Sequence, residues 1–132
     1  NSKLRTGSMS KFKSQGFNNT FKNARKGLRI VLKSEVNVRI HLFAAAFAVT
    51  LALILNFSTT KICILLLTIG LVVVAEMLNS AIEFALDAVF HNRYSKLVGM
   101  AKDISAGAVM FATFVAMAIG LIMFGSALYS LV

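Results

Sequence analysis

Residues 61–89, KICILLLTIGLVVVAEMLNSAIEFALDAV, decide how this chain is read. Fourteen residues after Lys61 (62–75) carry no charge, and then Glu76, Glu83 and Asp87 break the apolar run. A helix needs about 20 predominantly apolar residues to cross a bilayer. The segment therefore spans only if it continues past Glu76 toward Leu86. A carboxylate in a span costs about 3 kcal/mol on insertion scales. Such a side chain faces a bundle interior or a watery cleft rather than lipid, and it marks a site.

Two longer charge-free runs flank this one: residues 42–60 (19 residues) and 104–132 (29 residues). Each is long enough to span by itself. The chain is 58% hydrophobic, with no Pro and no Trp, and its mean hydropathy is +0.78. Soluble domains run about 45–50% apolar, which argues against one here. The fold expected is all-α and integral to a membrane, with spans over 38–57, 61–89 and 101–130. The connection NFSTTK, residues 56–61, is short enough to allow only antiparallel neighbours. Residues 91–100 read as a polar loop in which Gly99 interrupts the helix. Cys63 is the single cysteine, so one chain holds neither a disulfide nor a cysteine metal site, and it reads as a small apolar packing residue.

Charge sets the expected orientation. The net charge is +9, and ten of the fourteen Lys and Arg residues precede Leu42. Arg93, Lys96 and Lys102 lie between the second and third spans, and Lys61 stands alone between the first and second. Positive loops stay cytoplasmic, which puts the N-terminus and the second connection inside and the C-terminus outside. No nucleic-acid-binding motif accompanies the charge, so anionic lipid headgroups are the expected counterpart. Residues 11–34 place Phe17, Phe21, Ala24, Leu28, Val31 and Leu32 three or four apart, with Lys22, Arg25, Lys26, Arg29 and Lys33 between them. That pattern reads as an amphipathic helix on the membrane surface. Ahead of Met9, residues 1–8 (NSKLRTGS) read as a tag remnant, leaving 9–132 as a single domain. The first hydrophobic run begins too late and is too long for a cleavable signal peptide.

At 100° per residue Glu83 lies about 20° from Glu76 around the helix, Asp87 about 20° to the other side, and Asn79 about 60° away. Glu76 is some 10 Å deeper than Glu83. Lys102 and Asp103 open the third span at a similar level, and Glu35 ends the surface helix. Carboxylates with an Asn near a membrane surface suit a hard cation: Mg²⁺ takes one or two carboxylates plus phosphate oxygens and waters. A desolvated carboxylate is also suited to act as a base. The same groups serve equally as a hydrogen-bond and ion-pair network that only joins helices. There is no GxxxxGK[ST] loop and no protein-kinase signature. His41 and His91 lack metal-ligand spacing and read as interfacial polar groups.

The run Glu76-Met-Leu-Asn79-Ser-Ala-Ile-Glu83, then Asp87, then Ala101-Lys102-Asp103, resembles the hallmark of the small prokaryotic diacylglycerol kinase family, and Lys26-Gly-Leu-Arg29 ahead of Glu35 fits the same pattern. The resemblance covers residues 12–132. It implies a homotrimer of three-span subunits in a bacterial cytoplasmic membrane, with active sites between neighbouring subunits, that phosphorylates a lipid alcohol with ATP and Mg²⁺. By position it implies that Glu76 is the general base, that Glu35 and Glu83 hold the metal and through it ATP, and that Asn79, Lys102 and Asp103 serve catalysis or nucleotide contact. Glu35-Val-Asn-Val-Arg-Ile-His41 and residues 101–109, AKDISAGAV, look like the undecaprenol kinase branch rather than the diacylglycerol branch. Gly16 and Asn23 stand where the diacylglycerol branch has an Arg and a Tyr, which leaves Lys13 or another nearby cation to substitute for the Arg. A proton-coupled transporter is the rival of another class. It accounts for Glu76 but not for Asn79, Glu83, Lys102 and Asp103 together.

Overall fold

The computed structural model describes residues 16–91, 93 and 95–132, and everything described is helical or connecting turn. Residues 1–8, and the 11–15 portion of the expected surface helix, lie outside the described residues. The chain divides into two units, residues 1–34 and 35–132.

The first unit contributes helix α1, Phe17–Ser34. The rings of Phe17 and Phe21, one turn apart, stack at 6.5 Å. Lys22, Asn23, Arg25, Lys26 and Arg29 line one polar hollow on it.

The second unit holds three long apolar helices: α2 Val36–Ile54, α3 Thr59–Phe90 and α4 Lys96–Leu131, each long and apolar enough to cross a membrane. α2 ends in a tight hydrogen-bonded turn. Asn56 takes a left-handed conformation (φ 56°), its N–H donates to the Leu53 carbonyl, and the N–H of Phe57 donates to the Ala52 carbonyl. This pair of bonds is the Schellman pattern, and it satisfies carbonyls that a helix end leaves orphaned. Asn tolerates the left-handed region better than most residues. Ser58 then caps α3 by accepting from the N–H of Lys61 at 3.3 Å. One short connection thus closes one helix and opens the next, so α2 and α3 run antiparallel.

Beside this turn, Ala52, Leu65 and Met123 form a buried cluster that joins all three helices, with Phe57 and Phe124 packed against it. The two rings sit 5.0 Å apart. At the opposite end α3 stops at His91, again left-handed (φ 49°). Ser95 caps α4 through the N–H of Val98 at 3.2 Å. α4 therefore begins at Lys96 rather than near 101, and Gly99 lies inside the helix instead of interrupting it. The serine cap, worth about 1 kcal/mol, offsets a single glycine, which costs about as much in a helix interior.

α3 has 32 residues and α4 has 36, lengths of about 48 and 54 Å against a hydrocarbon core of about 30 Å. Both must project beyond the apolar layer. Counted from Thr59, Glu76 stands about 26 Å along α3, a distance close to the thickness of such a layer, and Glu83 and Asp87 lie further along the helix.

Candidate active site

Glu76 is 5% exposed, within an otherwise apolar length of α3. Its partner comes from α2: His41 Nδ1 lies 2.8 Å from Glu76 Oε1. The contact is close without being a well-aligned hydrogen bond, for Nδ1 has no hydrogen-bond partner among the described residues. His41 is therefore more than the interfacial polar group its spacing suggested. The hairpin explains the contact. Ala52 and Leu65 share the cluster beside the turn; eleven residues back along α2 is His41, and eleven forward along α3 is Glu76. Antiparallel helices that start in register keep it over those three turns. That signal was available in the sequence once the turn was known to be tight.

Ser80, one turn beyond Glu76, is 1% exposed, and its hydroxyl makes no hydrogen bond among the described residues. Buried polar atoms left open in this way are uncommon and gather where a water or ligand group completes them.

Nearer the end of α3 a second group forms with α4. Asn79 Nδ2 donates to Glu83 Oε1 at 3.2 Å. Ser105, on α4 and 5% exposed, donates its hydroxyl to Asn79 Oδ1 at 2.7 Å. Lys102 Nζ pairs with Asp87 Oδ1 at 2.7 Å. Asp87 and Lys102 are about two-fifths exposed, and a pair so wet contributes between zero and about 1 kcal/mol. Asp87, Arg93, Gly99, Lys102 and Asp103 line a cleft of about 290 Å³ between the ends of α3 and α4. Asp103 itself is exposed.

The structure thus brings Asn79 to Glu83 and Lys102 to Asp87, and sets Asp103 beside the latter pair. Glu76 stands apart, two turns deeper and held by His41. Glu35 is half-buried at the start of α2, where its side chain forms no capping bond. No three His, Cys, Asp or Glu side chains converge on a metal-sized space among the described residues of one chain. The donors present are carboxylates and a carboxamide, the chemistry a hard cation prefers, and one such carboxylate with phosphate oxygens suffices for Mg²⁺. Below His41 an apolar cavity of about 230 Å³ opens between the three helices, walled by Ala44, Ala48, Val72, Ala116 and Gly120 among others.

Comparison with known proteins matches residues 22–124 to the family described as prokaryotic diacylglycerol kinase. A diacylglycerol kinase of Synechocystis sp. (strain PCC 6803) is 34% identical over 101 residues; the match covers 76% of this chain and 58% of that protein, so the chain spans less than two thirds of that relative's length. The diacylglycerol kinase of Escherichia coli K12 is 36% identical over 91 residues, 69% of this chain and 74% of the other. The undecaprenol kinase of Bacillus subtilis (strain 168) is 31% identical over 108 residues, 82% of this chain and 87% of the other.

Proposed function

This chain belongs to the prokaryotic diacylglycerol kinase family, and on that premise we propose an integral-membrane lipid kinase that transfers the γ-phosphate of ATP to undecaprenol. Diacylglycerol, giving phosphatidic acid, is the alternative acceptor. The observation that carries the reading is the pairing of a buried carboxylate, Glu76, with a second carboxylate, Glu83, two turns nearer the end of the same helix and held by Asn79. The first is placed for an acceptor presented from the hydrocarbon edge. The second is placed for phosphates arriving from water.

Catalysis of phosphoryl transfer is mostly positioning and charge stabilisation. In this proposal the acceptor hydroxyl enters beside Glu76, and a Glu76 oxygen takes its proton as the hydroxyl oxygen bonds to the γ-phosphorus. The bond from that phosphorus to the bridging oxygen breaks, and ADP leaves. His41 lies against the Glu76 carboxylate and, when protonated, offsets the cost of charge in a poorly hydrated place. Glu83 and Glu35 would hold Mg²⁺, which when bound neutralises the phosphate charge. Glu83 fits that role, since among the described residues the one bond recorded for its carboxylate is that from Asn79 at Oε1, which leaves Oε2 open. Lys102 and Asp103 border the cleft between α3 and α4, and Lys102 would serve phosphate once released from Asp87.

Undecaprenol is favoured over diacylglycerol by His41. It completes the E-V-N-V-R-I-H stretch that resembles the undecaprenol branch, and it is the residue that reaches Glu76. The Bacillus subtilis match, which covers more of this chain than the Escherichia coli match, supports the same choice. The remaining parts of the proposal are a homotrimer in a bacterial cytoplasmic membrane, the N-terminus inside and the C-terminus outside, with α1 lying on the anionic inner surface.

The test offers purified protein in lipid vesicles undecaprenol and diacylglycerol separately, each with Mg-ATP carrying labelled γ-phosphate. Label in undecaprenyl phosphate is expected to exceed label in phosphatidic acid. The opposite order transfers the proposal to diacylglycerol. Label in neither, together with proton flux across sealed vesicles that ignores ATP, replaces the kinase with a transporter.

A further inference from the structure

Resting on the assignment of Glu83 to the metal-phosphate end of the site, we propose that Ser105 is a positioning residue for nucleotide binding. Its hydroxyl fixes the Asn79 carboxamide, and that carboxamide in turn fixes Glu83. By sequence, Ser105 belongs to the small-residue run Ser-Ala-Gly-Ala of residues 105–108, whose default reading is close helix packing.

The donor directions allow one arrangement. An ionised carboxylate only accepts hydrogen bonds, so the Asn79 group facing Glu83 must be Nδ2. Oδ1 then faces Ser105, and because Oδ1 only accepts, Ser105 must donate. Reversing the amide would set Oδ1 against a carboxylate oxygen. Ser105 Oγ has a second acceptor, the Lys102 carbonyl at 3.0 Å, but the shorter bond is to Asn79, at 2.7 Å. The hydroxyl is buried, and the surrounding groove is lined by Ala75, Leu78, Ala101, Ile104 and Ala108, which offer Asn79 no other side-chain donor. In such apolar surroundings linked hydrogen bonds reinforce one another.

The chain Ser105–Asn79–Glu83 therefore crosses from α4 to α3 and ends on a carboxylate oxygen. The terminal torsion of Asn is soft and broad, so without Ser105 the Asn79 carboxamide is restrained only by its bond to Glu83. Glu83 then loses the fixed donor that keeps Oε1 occupied and Oε2 available. The acceptor side of the site, at Glu76 and His41, is untouched by this chain, because neither residue takes part in it. A hydrogen bond that merely tied two helices together would affect stability and leave nucleotide affinity alone.

Ser105→Ala, Ser105→Thr and Glu83→Gln are compared with the unsubstituted protein in vesicles. The readouts are KM for Mg-ATP and for lipid, kcat, the unfolding midpoint, binding of non-hydrolysable Mg-AMP-PNP, and the Asn79 side-chain amide resonance in asparagine-¹⁵N-labelled protein without nucleotide. Ser105→Ala is expected to raise KM for Mg-ATP and weaken Mg-AMP-PNP about 5- to 10-fold. Its kcat and lipid KM should stay within about twofold, with the amide resonance moved, and Ser105→Thr, which keeps a hydroxyl, should restore all of these. An unmoved amide resonance in Ser105→Ala overturns the proposal. So does a lowered midpoint with Mg-AMP-PNP affinity intact while Glu83→Gln weakens it; in that case the Glu83 assignment survives and only Ser105 loses its role. If Glu83→Gln leaves nucleotide affinity intact, the assignment of Glu83 fails and this proposal fails with it. Should Ser105→Ala not fold, Ser105→Cys, of similar size and with a weak donor, takes its place under the same outcomes.

Discussion

Glu76 and His41 carry the sharpest chemical expectation at the scale of single residues. A carboxylate that is 5% exposed and next to an imidazole is placed to accept a proton, while its amide counterpart is not. Glu76→Gln should lower kcat about 100- to 10,000-fold, the range a general base contributes, and leave KM for Mg-ATP within about threefold. Near-normal turnover of labelled lipid product would remove Glu76 from the role of base. His41 acts on the same carboxylate from α2, so His41→Ala should reduce kcat by about tenfold, the scale of one charge-assisted contact, again with KM for Mg-ATP unchanged. If His41→Ala instead raises KM for Mg-ATP at constant kcat, His41 belongs to the nucleotide end of the site and not to the base. The two substitutions should combine less than additively, because both act through one carboxylate.

Elements explain which of these contacts the sequence disclosed. The three apolar helices were legible because charge-free runs of span length have no other stable home, and the acidic stripe on α3 followed from helical angles alone. The contact between His41 and Glu76 is not visible in the spacing of either helix alone, although the α2–α3 turn implies it. Residues 56–61 were recognised as short, but the left-handed Asn56 and the two bonds closing the turn set the register of the whole hairpin. The Ser105–Asn79 bond had no such signal, because α3 and α4 are joined through His91, Arg93 and Ser95, a connection with no comparable register constraint in its sequence. The early start of α4 follows from the Ser95 cap, a signal that lies outside the glycine pattern at position 99. The turn itself is testable. Asn56→Val forces a β-branched residue into a left-handed conformation and should destabilise the protein by roughly 1–3 kcal/mol. Asn56→Gly should be nearly neutral. Both are read as unfolding midpoints in the same detergent, and equal midpoints for the two would deny Asn56 its part in holding the hairpin.

For the molecule as a whole, much of the second unit is left uncovered. Phe43, Phe47, Leu67, Phe111, Leu121 and Ile122 are each at least 70% exposed, and only 11–22% of each span's most apolar window is buried within the chain. Lipid or further copies must cover those faces. The two proposed metal ligands, Glu35 and Glu83, do not form part of any cluster of three metal-ligating side chains among the described residues of one chain. In the proposed homotrimer a closed ring of like copies would bring a second carboxylate to each site, because a head-to-tail interface repeats one pairing at every junction. Glu76 and Glu83 would come from one subunit and Glu35 from its neighbour. Glu76→Gln and Glu35→Gln homotrimers should each be inactive. Unfolded together in equal amounts and reassembled, they should recover about a quarter of unsubstituted activity, since random assortment leaves that share of junctions with both carboxylates intact. Glu76→Gln mixed with Glu83→Gln should recover nothing, because those two residues share a helix and a subunit. No recovery in the first mixture would mean that Glu35 and Glu76 serve one site within a single chain, and recovery in the second would mean that the Glu76 and Glu83 of one site come from different subunits.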